Sequence, residues 1–162
     1  TYCMTGWRVG YAMGPKAVIR AMEIIQGHST SCANAIAQAA SVVALTKIGP
    51  EHIQMMIREY MRRARFVHGA LTAIPGVLMA EPKASFYAFP DVSAYFGRKW
   101  KGKTLASSMD VCRILLEDHH VACVPGEAFG YKEAIRLSYA TSMAELERAL
   151  TRVTAFFHAI ER

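Results

Sequence analysis

Long hydrophobic runs, clustered cysteines and dense charge are all scarce in this sequence, and each scarcity excludes a class of protein. Nowhere in the 162 residues do about 18 apolar residues follow one another, the length a membrane-spanning helix requires. Near Thr1 there is no basic stretch followed by an apolar one, so nothing there reads as a secretory signal. The four cysteines, Cys3, Cys32, Cys112 and Cys123, show neither CxxC spacing nor grouping with histidines. That argues against a zinc site or a disulfide framework and fits reduced thiols in a cytoplasmic protein. Only His119 and His120 adjoin among the six histidines, and neighbours on a helix do not share a face, so no metal site is expected. Charged residues make up 20% against 52% apolar, which describes a folded globular chain and not a disordered one.

What charge there is sums to +6 and gathers in two places. Arg58, Arg62, Arg63 and Arg65 lie in "REYMRRAR"; Arg98, Lys99, Lys101 and Lys103 lie in "FGRKWKGK". The second run interleaves Phe96 and Trp100 with cations, as single-strand nucleic-acid binders do. Neither run carries a nucleic-acid motif, so the first reads as a solvated helix face, the second as a mobile surface loop, and no nucleic-acid partner is expected.

Punctuation and periodicity predict the elements. Trp7 to Met13 reads as a short strand between Gly6 and Gly14-Pro15. A helix follows from Pro15 to about Gln26, with Gly27 at its end. Ala33 to Ile48 is apolar without a polar stripe, which predicts a helix buried on most sides, stopped by Gly49-Pro50. From Pro50 to about Ala73, the residues Ile53, Ile57, Tyr60, Ala64, Val67 and Leu71 recur at three and four, as on an amphipathic helix. Val77 to Ala80, Ala84 to Phe89, Val121 to Val124 and Ile135 to Tyr139 are strand candidates. Ser107 with Asp110, and Ser142 with Glu145, are set to cap two further helices.

The sum is an α/β fold. Residues 50–162 form a self-contained α+β domain, a short sheet covered by helices. Residues 1–49 supply one strand and two apolar helices, and a lone strand cannot satisfy its own backbone hydrogen bonds.

Two segments carry the chemistry. In Thr5-Gly6-Trp7-Arg8-Val9-Gly10-Tyr11 an arginine stands between glycines that admit close approach, its fork suited to phosphate or carboxylate. A surface salt bridge accounts for Arg8 as well. The glycine-punctuated loop Val124–Gly130 precedes Ile135-Arg136-Leu137-Ser138-Tyr139-Ala140, where one arginine sits among apolar neighbours. A charge there is costly unless paired, so Arg136 needs an anion, either a protein carboxylate or a ligand.

In order and spacing, "MTGWRVGYAMGP", "HSTSCANAIAQAA", "ASFYAFPD", "VACVPGEAFG" and "IRLSYA" resemble the class I/II aminotransferases, fold-type I enzymes that use pyridoxal 5'-phosphate. The likeness runs over the whole chain and is nearest the bacterial-type branch rich in aspartate aminotransferases. It implies that residues 1–49 are a remnant of the large cofactor-binding domain and 50–162 the C-terminal small domain. It also implies amino acid and 2-oxo acid substrates, a homodimer and a cytoplasmic location. Arg8 inherits contact with the cofactor phosphate. Arg136 inherits the substrate α-carboxylate, with Phe86 nearby or in core packing. The lysine that forms the Schiff base in the family lies just before the segment matching "TYCMTGWRVGY". No catalytic residue is therefore expected in this chain, which alone should be inactive. On this reading the chain is a C-terminal fragment, with Thr1 following that lysine and Arg162 closing it, ends that a trypsin-like protease, a deliberate truncation or a partial gene would each leave. "STSCANA" departs from the family pattern at Cys32 and Ala33, which weakens any phosphate contact by Ser29 or Thr30. A non-catalytic module that kept the small-domain fold to bind anions through Arg8, Arg136 and the basic loop is the alternative. Against it stands the orphan strand.

Overall fold

Prolines and short polar side chains decide where the helices start. Pro15 leads into α1 (Lys16–Ser29), and Asn34 accepts the Ala37 N–H at 3.0 Å to open α2 (Ala35–Lys47). Pro50 begins α3 (Pro50–Thr72). Ser107 caps α4 (Ser108–Glu117) and Ser142 caps α5 (Met143–Ala159), each accepting the N–H three residues on. Asp110 completes the first of these caps by accepting from the Ala106 N–H at 3.0 Å. This computed structural model describes residues 1–161. Arg162, the expected cleavage end, lies outside the described residues.

The chain forms two compact units, Thr1–Ile57 and Arg58–Arg162. In the first unit α1 runs through Gly27, because the N–H groups of Thr30 and Ser31 both donate to the Gln26 carbonyl at 3.0 Å. Ser31, at φ 65°, supplies the left-handed turn expected of the glycine. The strand expected over Trp7–Met13 is not formed. Thr5–Trp7 makes a single 3-10 turn, Arg8 follows at φ 52°, and residues 9–14 donate no backbone hydrogen bond. Strand pairing needs a neighbour, and among the described residues this unit contains none. The apolar helix α2, expected to be buried on most sides, buries only Ala37 and Ala44. Ile36 is 71% exposed, Leu45 62% and Val42 60%.

The second unit closes its own core. Strands β1 (Tyr87–Ala88), β4 (Val124–Pro125) and β5 (Ile135–Ser138) form an antiparallel sheet in the order β1-β5-β4. Tyr87 stands opposite Ser138, and Val124 opposite Arg136. The other strand candidates are shorter than expected; Val77–Ala80 reduces to a single bridge between Leu78 and Asp91. Successive residues of a strand face opposite ways. Ile135, Leu137 and Tyr139 accordingly join Leu71, Val111, Leu115, Val153 and Phe156 in the core, while Arg136 and Ser138 look outward.

"FGRKWKGK" is a hairpin, not a mobile loop. Strands β2 (Lys99–Trp100) and β3 (Lys103–Thr104) pair across Lys101 and Gly102, both at positive φ (48° and 76°), the geometry tight hairpins favour. The Trp100 ring packs on Phe156 at 5.2 Å and on His119 at 5.3 Å, and its Nε1–H donates to Asp118 at 3.0 Å. The indole is thus partly buried against the core. On α3, Arg62 and Arg63 both bond Glu59, whose carboxyl they push down to about 2, as on a solvated face.

Candidate functional site

The outward face of the three-stranded sheet gathers aromatic rings around one guanidinium. Arg136 Cζ lies 4.3 Å from the centroid of Tyr87 and 4.3 Å from that of Phe129. Tyr87 comes from β1, and Phe129 from a single 3-10 turn, Gly126–Phe129, that follows β4. Phe89 meets Phe129 edge-on at 5.9 Å and lies 6.3 Å from Tyr131. Tyr131 OH donates to Asp91 Oδ2 at 2.7 Å, and the Ser93 N–H donates to Oδ1 at 2.8 Å. Burial raises the Asp91 pKa, but the Ser93 and Tyr131 hydrogen bonds outweigh it and hold the carboxyl below its ordinary range.

Among the described residues, no carboxylate pairs with Arg136 and no protein group accepts a hydrogen bond from it. Of the two partners left open by the sequence, a protein carboxylate is not found among the described residues. A half-buried guanidinium held against two rings, its N–H groups without an acceptor among the described residues, has the chemistry to bind a planar oxyanion through two N–H groups.

Phe86 is not on Arg136. It packs against the core beside Tyr60 (6.4 Å) and Tyr87 (4.3 Å). Tyr87, not Phe86, is the ring of that strand on Arg136. Phe129 carried a weak signal, its place between Gly126 and Gly130.

Arg8, in the first unit, is exposed and donates from Nη1 to the Thr5 carbonyl of its own turn at 3.2 Å. Among the described residues no carboxylate pairs with it either, and a side chain at Gly6 or Gly10 would meet nothing within 4 Å. All seven lysines are exposed. The described residues contain no group of three metal-ligating side chains, and no helix is long and apolar enough to cross a membrane.

Comparison with known proteins gives this geometry its family. The sequence model of aminotransferase class I and II matches residues 1–153. The chain belongs to that family. It is similar to the aspartate aminotransferase of Rhizobium meliloti, 46% identical over 156 residues, covering 95% of this chain and 38% of that protein. The crystal structure of a Rhizobium meliloti aspartate aminotransferase superposes with a TM-score of 0.88 at 43% identity, over 99% of this chain and 40% of the other. The Thermus thermophilus aspartate aminotransferase with maleate matches at TM-score 0.80 and 36% identity, over 94% and 38%. The fold is thus that of the C-terminal part of a fold-type I aminotransferase, and the chain spans about 38% of the length of such relatives.

Proposed function

We propose that this chain is part of an enzyme that moves an amino group between an amino acid and a 2-oxo acid with pyridoxal 5'-phosphate, L-aspartate being the amino acid to try first. The carrying observation is Arg136, held against the rings of Tyr87 and Phe129 with no carboxylate paired to it among the described residues. The names of the relatives support the reaction class, and the maleate held by one of them, a dicarboxylate, supports an acidic substrate.

Arg136 receives the α-carboxylate through two parallel N–H···O bonds. That fixes the direction of the Cα–H bond, a positioning contribution to the rate. Arg8 fits the phosphate end of the cofactor: its charge is uncompensated and the flanking glycines leave room for an anion. Bound pyridoxal phosphate supplies an electron-withdrawing ring that stabilises the charge left at Cα when its proton is removed. Phe86 supports the pocket from beneath Tyr87. No lysine here is placed to anchor the cofactor or shuttle the proton, so the isolated chain is inactive.

Residues 1–49 are assigned to the large domain and 50–162 to the small one. The exposed apolar faces of α1 and α2 are covered in the parent by the rest of the enzyme and a second subunit. Four free cysteines accord with a reducing cytoplasm.

The test compares the full-length protein with this chain after mixing with pyridoxal phosphate and reduction by borohydride. The full-length protein should carry one stoichiometric adduct and transaminate L-aspartate; the chain should do neither. A single-site adduct on the chain, or a full-length protein without transaminase activity, would overturn the reading.

A further inference from the structure

Phe129 stands apart from the core and is 47% exposed, so packing alone does not explain where it is held. Its loop is closed from several sides. Gly126 N–H donates to the Ala134 carbonyl at 2.8 Å, and Tyr131 N–H to the Gly126 carbonyl at 3.1 Å. A Cβ on Gly126 would run into the carbonyl oxygens of Tyr131 and Ala134, so the closure admits only glycine there. Gly130 turns the chain at φ 78°, and Tyr131 then reaches back to Asp91. Asp91 is anchored in turn, exchanging backbone hydrogen bonds with Leu78 at 2.8 and 3.1 Å.

We propose that Phe129 and Tyr87 are the two jaws of a clamp that fixes the plane of the Arg136 guanidinium for a planar carboxylate, and that the Tyr131–Asp91 hydrogen bond is the latch that keeps the outer jaw in place. This rests on the reading of Arg136 as the carboxylate receiver and adds positioning residues to it. The five N–H bonds of a guanidinium lie in its plane. With its Cζ 4.3 Å from both ring centroids, the guanidinium is held by the rings while its N–H groups stay available to an incoming anion, and a carboxylate offers two oxygens in one plane. Without the outer ring the side chain regains its rotamers, and each binding event must order it again. Phe129 and Tyr131 touch neither the reacting atoms nor the transferred group in this account; they act through Arg136.

The experiment uses the full-length protein loaded with pyridoxal phosphate and measures maleate affinity by calorimetry, with KM and kcat for L-aspartate alongside. Phe129→Tyr keeps the aromatic face, whereas Phe129→Leu keeps apolar bulk and loses it. Phe129→Leu should weaken maleate binding and raise KM about tenfold with kcat nearly unchanged, the size expected for a lost cation–π contact. Phe129→Tyr should stay within about twofold, and Tyr131→Phe should weaken binding by about threefold, as for one exposed hydrogen bond. Arg136→Lys is the control for the underlying reading and should weaken binding far more, because lysine neither stacks nor forks. A Phe129→Leu protein that binds maleate like the parent, while Arg136→Lys does not, sinks the clamp and leaves the carboxylate site standing. An Arg136→Lys protein that binds normally sinks both.

Discussion

The two units of this chain spend their apolar residues in opposite ways. From Arg58 onward the amphipathic helices α4 and α5 and the inner face of the sheet close on one another, burying Leu71, Leu115, Ile135, Val153 and Phe156 completely. Before that, α2 is the most uniformly apolar helix of the chain and yet buries two alanines. Apolar content alone does not make a core. A helix with one wet face can be satisfied by one neighbour, whereas a helix without a wet face needs covering all round.

Amide exchange draws that contrast most sharply. Core amides of Leu115, Ile135 and Val153 should exchange only through global unfolding, and those of α1 and α2 at least about a thousandfold faster, since helices with few buried contacts open locally. Equal protection in the isolated chain would erase the distinction. Core truncation comes next. Phe156→Ala, which empties the space between Trp100, His119 and Phe157, should cost about 3–5 kcal/mol in urea unfolding, while Val42→Ala on α2 should stay within about 0.5 kcal/mol.

Matched helix caps offer a finer comparison. Ser107→Ala removes the cap of α4 and should cost about 1 kcal/mol of global stability, whereas Asn34→Ala should lower helix content without moving the main unfolding transition. The smallest effect is a pH dependence confined to the second unit. Burial against Trp100 and Phe156 pushes the His119 imidazole below its ordinary value of 6.5, partly offset by Asp118, and its Nε2 has no partner. The unfolded chain takes up that proton at higher pH than the folded one. The contribution is therefore complete above about pH 6.5 and is lost as the pH falls through the lower folded value. His119→Leu should flatten the stability profile there.

Sequence made the local features readable. The recurrence of Leu146, Leu150, Val153, Phe157 and Ile160 marks the buried face of α5, and the structure buries all five. The caps at Ser107 and Ser142 stand where short polar residues precede apolar periodicity. Non-local features were harder. Trp7 to Met13 has the alternation of a strand, but pairing requires a partner that no local pattern reports. Phe86 and Tyr87 look equivalent until the sheet sets Tyr87 against Arg136 and leaves Phe86 packed on the core. Arg136 was legible as a costly charge in an apolar strand. Its outer jaw depends on the hydrogen bond between Tyr131 and Asp91, forty residues apart, which spacing cannot disclose.

A crystal structure of the full-length protein with a bound dicarboxylate is the most direct trial. One carboxylate should lie edge-on to Arg136, coplanar with the guanidinium between Tyr87 and Phe129, accepting two hydrogen bonds from it. A dicarboxylate seated elsewhere, with Arg136 turned to solvent or joined to an acidic side chain from the rest of the protein, would contradict the account.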